Sequence, residues 1–265
     1  MLKSARSRIL VPHITVYLQD PFICKSMQCV FEDGSVFVKM IDGIKDLCPE
    51  GNIDFGVEGM QMQVMDAAHV SLCTMLLRTT MFKKYSCADP MSLGVNFKTL
   101  AMMLKNAKGE LHLKSSGDKL EVKVQKLTGT AEYSMNLMDI DSEHLALPDT
   151  QYNAICVLPT VTFGKVVRDL TDFSDTCTLH IGDTMSVVAS GDIGKVEWKA
   201  DDCKCSVSSP VDPLQFSLRY LCLFSKCAVS PKVVLGMSAE MPMCLTFPIE
   251  QHGFMRFFLA PKLVE

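Results

Sequence analysis

The chain reads as an α+β fold of antiparallel sheet and four amphipathic helices, arranged as a duplicated unit. Three observations predict this. Short runs alternating apolar with polar residues recur along the sequence, four stretches carry apolar residues at helical spacing, and those four match in pairs about half a chain apart. Of the 265 residues, 48% are hydrophobic and 21% charged, which excludes disorder or a collagenous repeat because so much apolar surface needs a core. The length accommodates one large domain or two of roughly 120 residues.

The strands are expected at Asp54–Val64, Val70–Arg78, Glu110–Lys114, Leu120–Lys126, Cys177–Ile181, Met185–Ser190, Val233–Ala239 and Met243–Ile249. Helical spacing predicts Ser35–Leu47, Asn96–Ala107, Val161–Phe173 and Pro213–Cys227. Phe37, Lys39, Ile41 and Ile44 line up with Phe163, Lys165, Val167 and Leu170 at an offset of 126, and Phe97 to Lys105 echoes Phe216 to Lys226 at an offset near 120. Between these halves, Thr128–Asp149 carries Met135, Leu137, Met138, Ile140, Leu145 and Leu147. It is too apolar for a flexible linker and too irregular for a helix, so an ordered connector offering a docking strip is expected.

Charge is segregated along the chain, although the net value is only -4. Lys39, Lys45, Lys98, Lys105, Lys108, Lys165, Arg168, Arg219 and Lys226 put basic residues on all four helices, against Asp42, Asp46, Asp169, Asp172 and Asp175. Glu132, Asp139, Asp141, Glu143 and Asp149 meet no Lys or Arg between residues 127 and 164. Two readings of the basic helices stand: solvated faces, or a surface that tracks phosphates without choosing sequence.

The 12 cysteines lie between Cys24 and Cys244 with no Cys-x-x-Cys pair, a pattern of reduced thiols in a cytosolic or nuclear core. Cys203 and Cys205, with Cys222 and Cys227 downstream, hint at metal, but their spacing matches no common zinc pattern and no metal is expected. No apolar run approaches the roughly 20 residues needed to span a bilayer, so a soluble chain without a membrane partner is expected. The start, Met1 to Arg8, is basic, but Pro12, His13, Asp20 and Pro21 break the adjoining segment, and the whole resembles neither a signal peptide nor a clean transit helix. No glycine-rich phosphate loop, His-Glu-x-x-His or nucleophile elbow occurs, so neither an enzyme, a catalytic residue nor a cofactor is expected.

Several motifs resemble a known family. They are Met65-Asp66-Ala-Ala-His69-Val-Ser-Leu72, the connector Tyr133-Ser-Met-Asn-Leu-Met-Asp139-Ile-Asp141, Arg168-Asp-Leu170, Leu218-Arg-Tyr-Leu221, Met237-Ser-Ala239 and Leu259-Ala-Pro-Lys262. From about Met27 onward, in order and spacing, the chain is similar to the eukaryotic sliding clamp family, proliferating cell nuclear antigen. The resemblance implies duplicated clamp domains at 27–132 and 152–265, a connecting loop at 133–151, and residues 1–26 as an extension without counterpart. It further implies a homotrimeric ring whose helices line a hole and whose sheets form the outer layer, with Leu120–Lys126 of one subunit meeting Lys195–Lys199 of the next.

A ring of this kind encircles double-stranded DNA without reading sequence and tethers a polymerase. The resemblance places the hole-lining positions on Lys39, Lys45, Lys105, Lys165, Arg168 and Lys226, with Lys98 and Lys108 as further basic positions. It places a pocket for a short two-aromatic peptide on Met65, His69, Val70, Leu72, Leu145, Leu147, Pro148, Tyr152, Met241, Pro242, Phe258, Ala260, Pro261, Lys262 and Leu263. Implied partners are a DNA polymerase, other replication or repair proteins, a clamp loader and further copies of the chain, in a nucleus or viral replication compartment. A heteromeric checkpoint-type clamp is the alternative. The sequence departs from the family at Ser86–Pro90, at Val38 and Met102 on the helices, at the lysine-free turn His180–Met185, and in the shortened loop Ala200–Pro213.

Overall fold

A computed structural model describes residues 26–141, Leu145 and residues 151–262. The proposed extension therefore lies almost wholly outside the described residues, as do Glu143, Leu147, Pro148, Asp149 and Leu263. In chain order the first half runs β1 Ser26–Phe31, α1 Ser35–Ile44, β2 Glu50–Gly56, β3 Gly59–Met65, β4 Ser71–Arg78, β5 Lys84–Cys87, β6 Met91–Asn96, α2 Phe97–Leu104, β7 Leu111–Ser116, β8 Lys119–Lys126 and β9 Gly129–Asn136. The second half repeats that order: β10 Ala154–Pro159, α3 Thr160–Thr171, β11 Thr176–Ile181, β12 Met185–Gly191, β13 Gly194–Lys199, β14 Lys204–Val207, β15 Leu214–Ser217, α4 Leu218–Ser225, β16 Lys232–Met237, β17 Met243–Ile249 and β18 Gly253–Leu259.

The sheets repeat as well. β5-β1-β7-β8-β9 forms one sheet of the first half, and its counterpart β14-β10-β16-β17-β18 has the same order. The remaining strands give β4-β3-β2-β6 in the first half and β13-β12-β11-β15 in the second. One antiparallel junction joins the halves, β18 against β4, running from Gly253 opposite Leu77 to Leu259 opposite Ser71 and making a nine-stranded sheet. All the strand pairs among the described residues are antiparallel, as alternating patterning predicts.

The helices occupy one side of these sheets and bury their apolar faces there. Phe37 and Met40 of α1, Phe163 and Val167 of α3, and Leu221 and Phe224 of α4 belong to one core, where the Phe224 and Phe257 rings stack at 4.4 Å. Burial of Phe37 and Phe163 at matching points of α1 and α3 bears out the pairing seen in sequence. The other pair shifts: α4 begins at Leu218, the counterpart of Phe97 at the start of α2, because Leu214–Ser217 is a strand rather than the first turn of a helix. Asn96 caps α2 by accepting the Thr99 N–H at 2.9 Å, a conventional side-chain N-cap.

Three expectations need correction. Asp54–Val64 is two strands, because Gly56 and Gly59 close a tight hairpin and Gly59 takes φ 130°, with the Leu77 carbonyl oxygen 2.1 Å from where a Cβ would sit. The stretch expected to begin the connector opens as β9, whose Met135 is buried opposite Leu120. β8 cannot be a joining edge, since β7 and β9 satisfy it on both sides; the edge of that sheet next to β8 is β9, with β5 at the other end. The other expected partner, Lys195–Lys199, does lie on an unpaired edge, that of β13.

Candidate functional site

Two groups of residues converge on opposite sides of the molecule. On the helix side, Lys39, Lys98, Lys105, Lys165 and Arg168 are exposed, as is Lys108 just beyond α2. Lys45, Lys98 and Lys105 border one concavity between α1 and α2, together with Asp42, Asp46, Val38 and Met102. The basic residues are not equally available to a polyanion. Lys45 ion-pairs with Asp42 one turn earlier, and Lys226 bonds Asp46 across the α1–α4 contact at 2.8 Å. The Lys226 hydrogen bond holds the Asp46 carboxyl below the usual carboxylate range. Arg168 turns its Nε back to the Gly164 carbonyl at 2.8 Å, and the residue is otherwise exposed. Val161 and Met102, 80% and 67% exposed, interrupt the basic face with apolar surface.

The acids are placed less simply than their spacing in sequence implied. Glu132 bonds Lys123 on the neighbouring strand at 2.7 Å, so isolation along the chain is not isolation in space.

On the sheet side, a row of residues crosses adjacent strands on the face away from the helices. Met65 lies opposite Leu72, Leu72 opposite Phe258, and Phe258 opposite Cys244. Tyr152 extends the row by covering Gly236, where a Cβ would stand 2.6 Å from its ring, while its hydroxyl donates to the Pro242 carbonyl at 3.2 Å. Val70 meets the row from above, its carbonyl accepting the Ala260 N–H at 3.0 Å. Of the expected pocket residues, Met65, His69, Val70, Leu72, Tyr152, Pro242, Phe258 and Ala260 are thereby gathered in one region. Met241 adjoins Pro242. Lys262 departs from it: its backbone N–H donates to Gln215 and its ammonium to Thr176, both in the second half's smaller sheet. Pro261 lies between, half-buried.

Asp66 organises the loop that carries His69 and Val70. Its carboxylate accepts from the N–H groups of Ala68, Val70 and Ser71 at 3.0, 3.0 and 2.6 Å and from the Tyr220 hydroxyl at 2.7 Å. The turn is tight enough to hold His69 at φ 57°, a conformation few non-glycine residues adopt. Burial alone would raise the Asp66 pKa, but the bonds from Tyr220, Ser71, Ala68 and Val70 outweigh it and the carboxyl sits below its ordinary value. Burial, with the Asp66 charge beside it, pushes the Tyr220 hydroxyl up to about 12.

The connector is held against the sheet by specific bonds. Met138 forms a bridge with Gly94 through its N–H at 2.8 Å, Asn52 donates to the Ile140 carbonyl at 2.8 Å, and the Gln63 amide both accepts from and donates to Leu145 at 2.6 and 3.0 Å. Sequence reasoning passed over Asn52, Gln63, Gly94, Cys244 and Gly236. Of these only Gln63 had a visible signal, a polar residue in the outward alternation of a strand beside the motif at Met65.

Comparison with known proteins agrees with this architecture. The family model for the N-terminal domain of proliferating cell nuclear antigen matches residues 27–144, and that for its C-terminal domain matches residues 146–262. Proliferating cell nuclear antigen of Chaetomium thermophilum is 32% identical over 255 residues, covering 89% of this chain and 98% of that protein. A doubled unit of antiparallel sheet with four helices on one side, matched half by half along its length, makes this chain a member of the proliferating cell nuclear antigen family of DNA sliding clamps and processivity factors.

Proposed function

We propose that three copies of this chain close into a ring around duplex DNA, through β9 of each subunit and β13 of the next. The repeat of topology carries this reading. β9 is the counterpart of β18, and β13 is the counterpart of β4, by position in their sheets. β18 and β4 already pair within the chain, whereas β9 and β13 each present a row of unpaired backbone groups. Their helix-side residues suit such a joint: Ala131, Tyr133 and Met135 on β9 face Val196 and Trp198 on β13, all packed against the core. Repeating one junction at every boundary gives a closed cyclic assembly rather than a filament when the rotation closes. Light scattering on the purified chain tests this: a stable mass near three times 29.4 kDa supports the ring, and a monomer that needs other chains points to the heteromeric clamp instead.

Inside such a ring, Lys39, Lys98, Lys105, Lys108, Lys165 and Arg168 supply weak phosphate contacts, while Lys45 and Lys226 contribute less because Asp42 and Asp46 already neutralise them. Enclosure keeps the clamp on DNA without tight contacts, and a tethered polymerase returns to the primer end at high effective concentration. This function involves no bond-making by the chain, so we assign it no enzymatic activity and place it in the nucleus, where a loader opens the ring.

The outer row from Met65 to Tyr152, roofed by the connector, then receives a two-aromatic peptide, with Leu147, Pro148 and Leu263 completing the pocket. The division into two clamp domains and a connector follows the same reading, with the first domain running through β9 to Asn136 rather than stopping at residue 132. Calorimetry with such a peptide tests the pocket. Leu145→Ala or Pro261→Ala is expected to weaken binding about tenfold, a loss of roughly 1.4 kcal/mol, and unchanged affinity in both variants removes the assignment.

A further inference from the structure

We propose that Cys156, Cys203 and Cys205 form a three-thiolate site for a soft divalent metal ion, of which Zn²⁺ is the best match. The fold, not the spacing, assembles it. Cys156 and Cys205 stand directly opposite each other on the antiparallel pair β10 and β14, so their side chains leave the same face of the sheet. Cys203 precedes Cys205 by two residues, just before β14, and its thiol meets that of Cys205. All three sulfur atoms lie within 4.8 Å of one another, and Cys203 Sγ is 3.7 Å from Cys205 Sγ.

Those separations suit a metal. Thiolates bound tetrahedrally at about 2.3 Å sit roughly 3.8 Å apart, so closing the site requires shifts of about 1 Å or less. Cys156 is buried and forms the floor, while Cys203 and Cys205 are half-buried and leave a route from solvent. With three protein ligands, water takes the fourth position. Three thiolates around Zn²⁺ leave one net negative charge, and their separations fit its tetrahedral preference. Binding exchanges three S–H bonds for three S–Zn bonds and releases three protons to solvent, with no change of oxidation state. Cys222 and Cys227, the neighbours in sequence that hinted at metal, play no part: Cys222 lies on α4 with its thiol on the Val167 carbonyl, and Cys227 is buried beside Gly43.

The ion would clip residues 200–203, the crossing from edge strand β13 to edge strand β14, onto β10 of the larger sheet. These contacts lie within one chain, so the site stands whether or not a ring forms. The test is titration of the full chain with Co²⁺ in a phosphine reductant. One Co²⁺ per chain, with thiolate-to-cobalt charge transfer and tetrahedral d–d bands that Zn²⁺ abolishes, supports the site. Cys203→Ser and Cys205→Ser should each weaken binding by more than about tenfold, with far-ultraviolet dichroism unchanged and Cys87→Ser and Cys222→Ser without effect. Absence of the bands in the parent chain, an unaltered titration in the Cys203→Ser, Cys205→Ser double variant, or oxidation of these thiols to a disulfide with no metal uptake after reduction overturns it.

Discussion

At the scale of single residues, Asp66 carries more than its position in a short motif suggested. One carboxylate closes the turn before β4 and ties it to Tyr220 of α4, 154 residues away. Hydrogen bonds to a charged acceptor contribute about 1.5–3 kcal/mol each when buried and less where water replaces them, so Asp66→Asn should lower stability by about 2 kcal/mol and loosen Val70 over the apolar row. Because the folded carboxyl lies below its unfolded value of about 3.9, its contribution is complete above that value and is lost as pH falls through the lower folded value. Denaturant unfolding should therefore separate the parent chain from Asp66→Asn at pH 7 and bring them together in strong acid. On the helix side, Lys105 and Arg168 are exposed and free of any carboxylate partner among the described residues. Replacing both by Ala removes six side chains from a three-subunit ring and should therefore lower the slope of log affinity for DNA against log salt by up to roughly 5, about 0.9 counterion per lost contact, with the mass of the assembly unchanged. An unaltered slope would remove these two from the DNA-facing set.

At the scale of elements, the connector is fixed by features that sequence patterning does not encode. Its apolar content announced an ordered segment, but what orders it is the backbone of β6 at Gly94, the side chain of Asn52 and that of Gln63. A Cβ at Gly94 would sit 2.1 Å from the Met138 carbonyl oxygen. Gly94→Val should therefore lift the connector from the sheet, measured as faster proteolysis near residue 140 and weaker peptide binding, with only a small change in the unfolding midpoint. The four helices and most of the central strands were legible because long amphipathic runs and alternation survive any context. The edges were not. β5, β14 and β15 are four residues each, too short for a period to register, and β9 carries Gly129, Thr130 and Ser134 where a buried strand would carry branched apolar residues. Leu214–Ser217 was absorbed into a helix for the same reason, its apolar residues fitting both periods. For the candidate site, a family motif marked the loop at Asp66–Ser71, whereas the contacts that shape it join residues far apart in the chain.

At the scale of the whole molecule, the net charge of -4 averages a basic helix side and a more acidic remainder, and a negative outer surface discourages DNA from lying across the wrong face. The larger fact is the repeat, because a chain whose two halves share one topology and pair β18 with β4 leaves a matching pair of edges unsatisfied. Trp198, the single tryptophan, lies half-buried on one of those edges and borders a groove with Val161, Phe173 and Val196. Assembly would cover it. Diluting the protein should shift its emission to longer wavelength in step with loss of mass by light scattering, since both report separation of β13 from β9. Tyr133 on the opposing edge stands opposite Val122, with the Lys126 ammonium 4.9 Å over its ring. Truncating such an interface aromatic costs about 2 kcal/mol, roughly thirtyfold in each dissociation constant, so Tyr133→Ala should move the fluorescence transition to correspondingly higher concentration. Emission that stays constant while mass falls would place Trp198 outside the joint, and a mass that never exceeds one subunit would deny that the free edges meet.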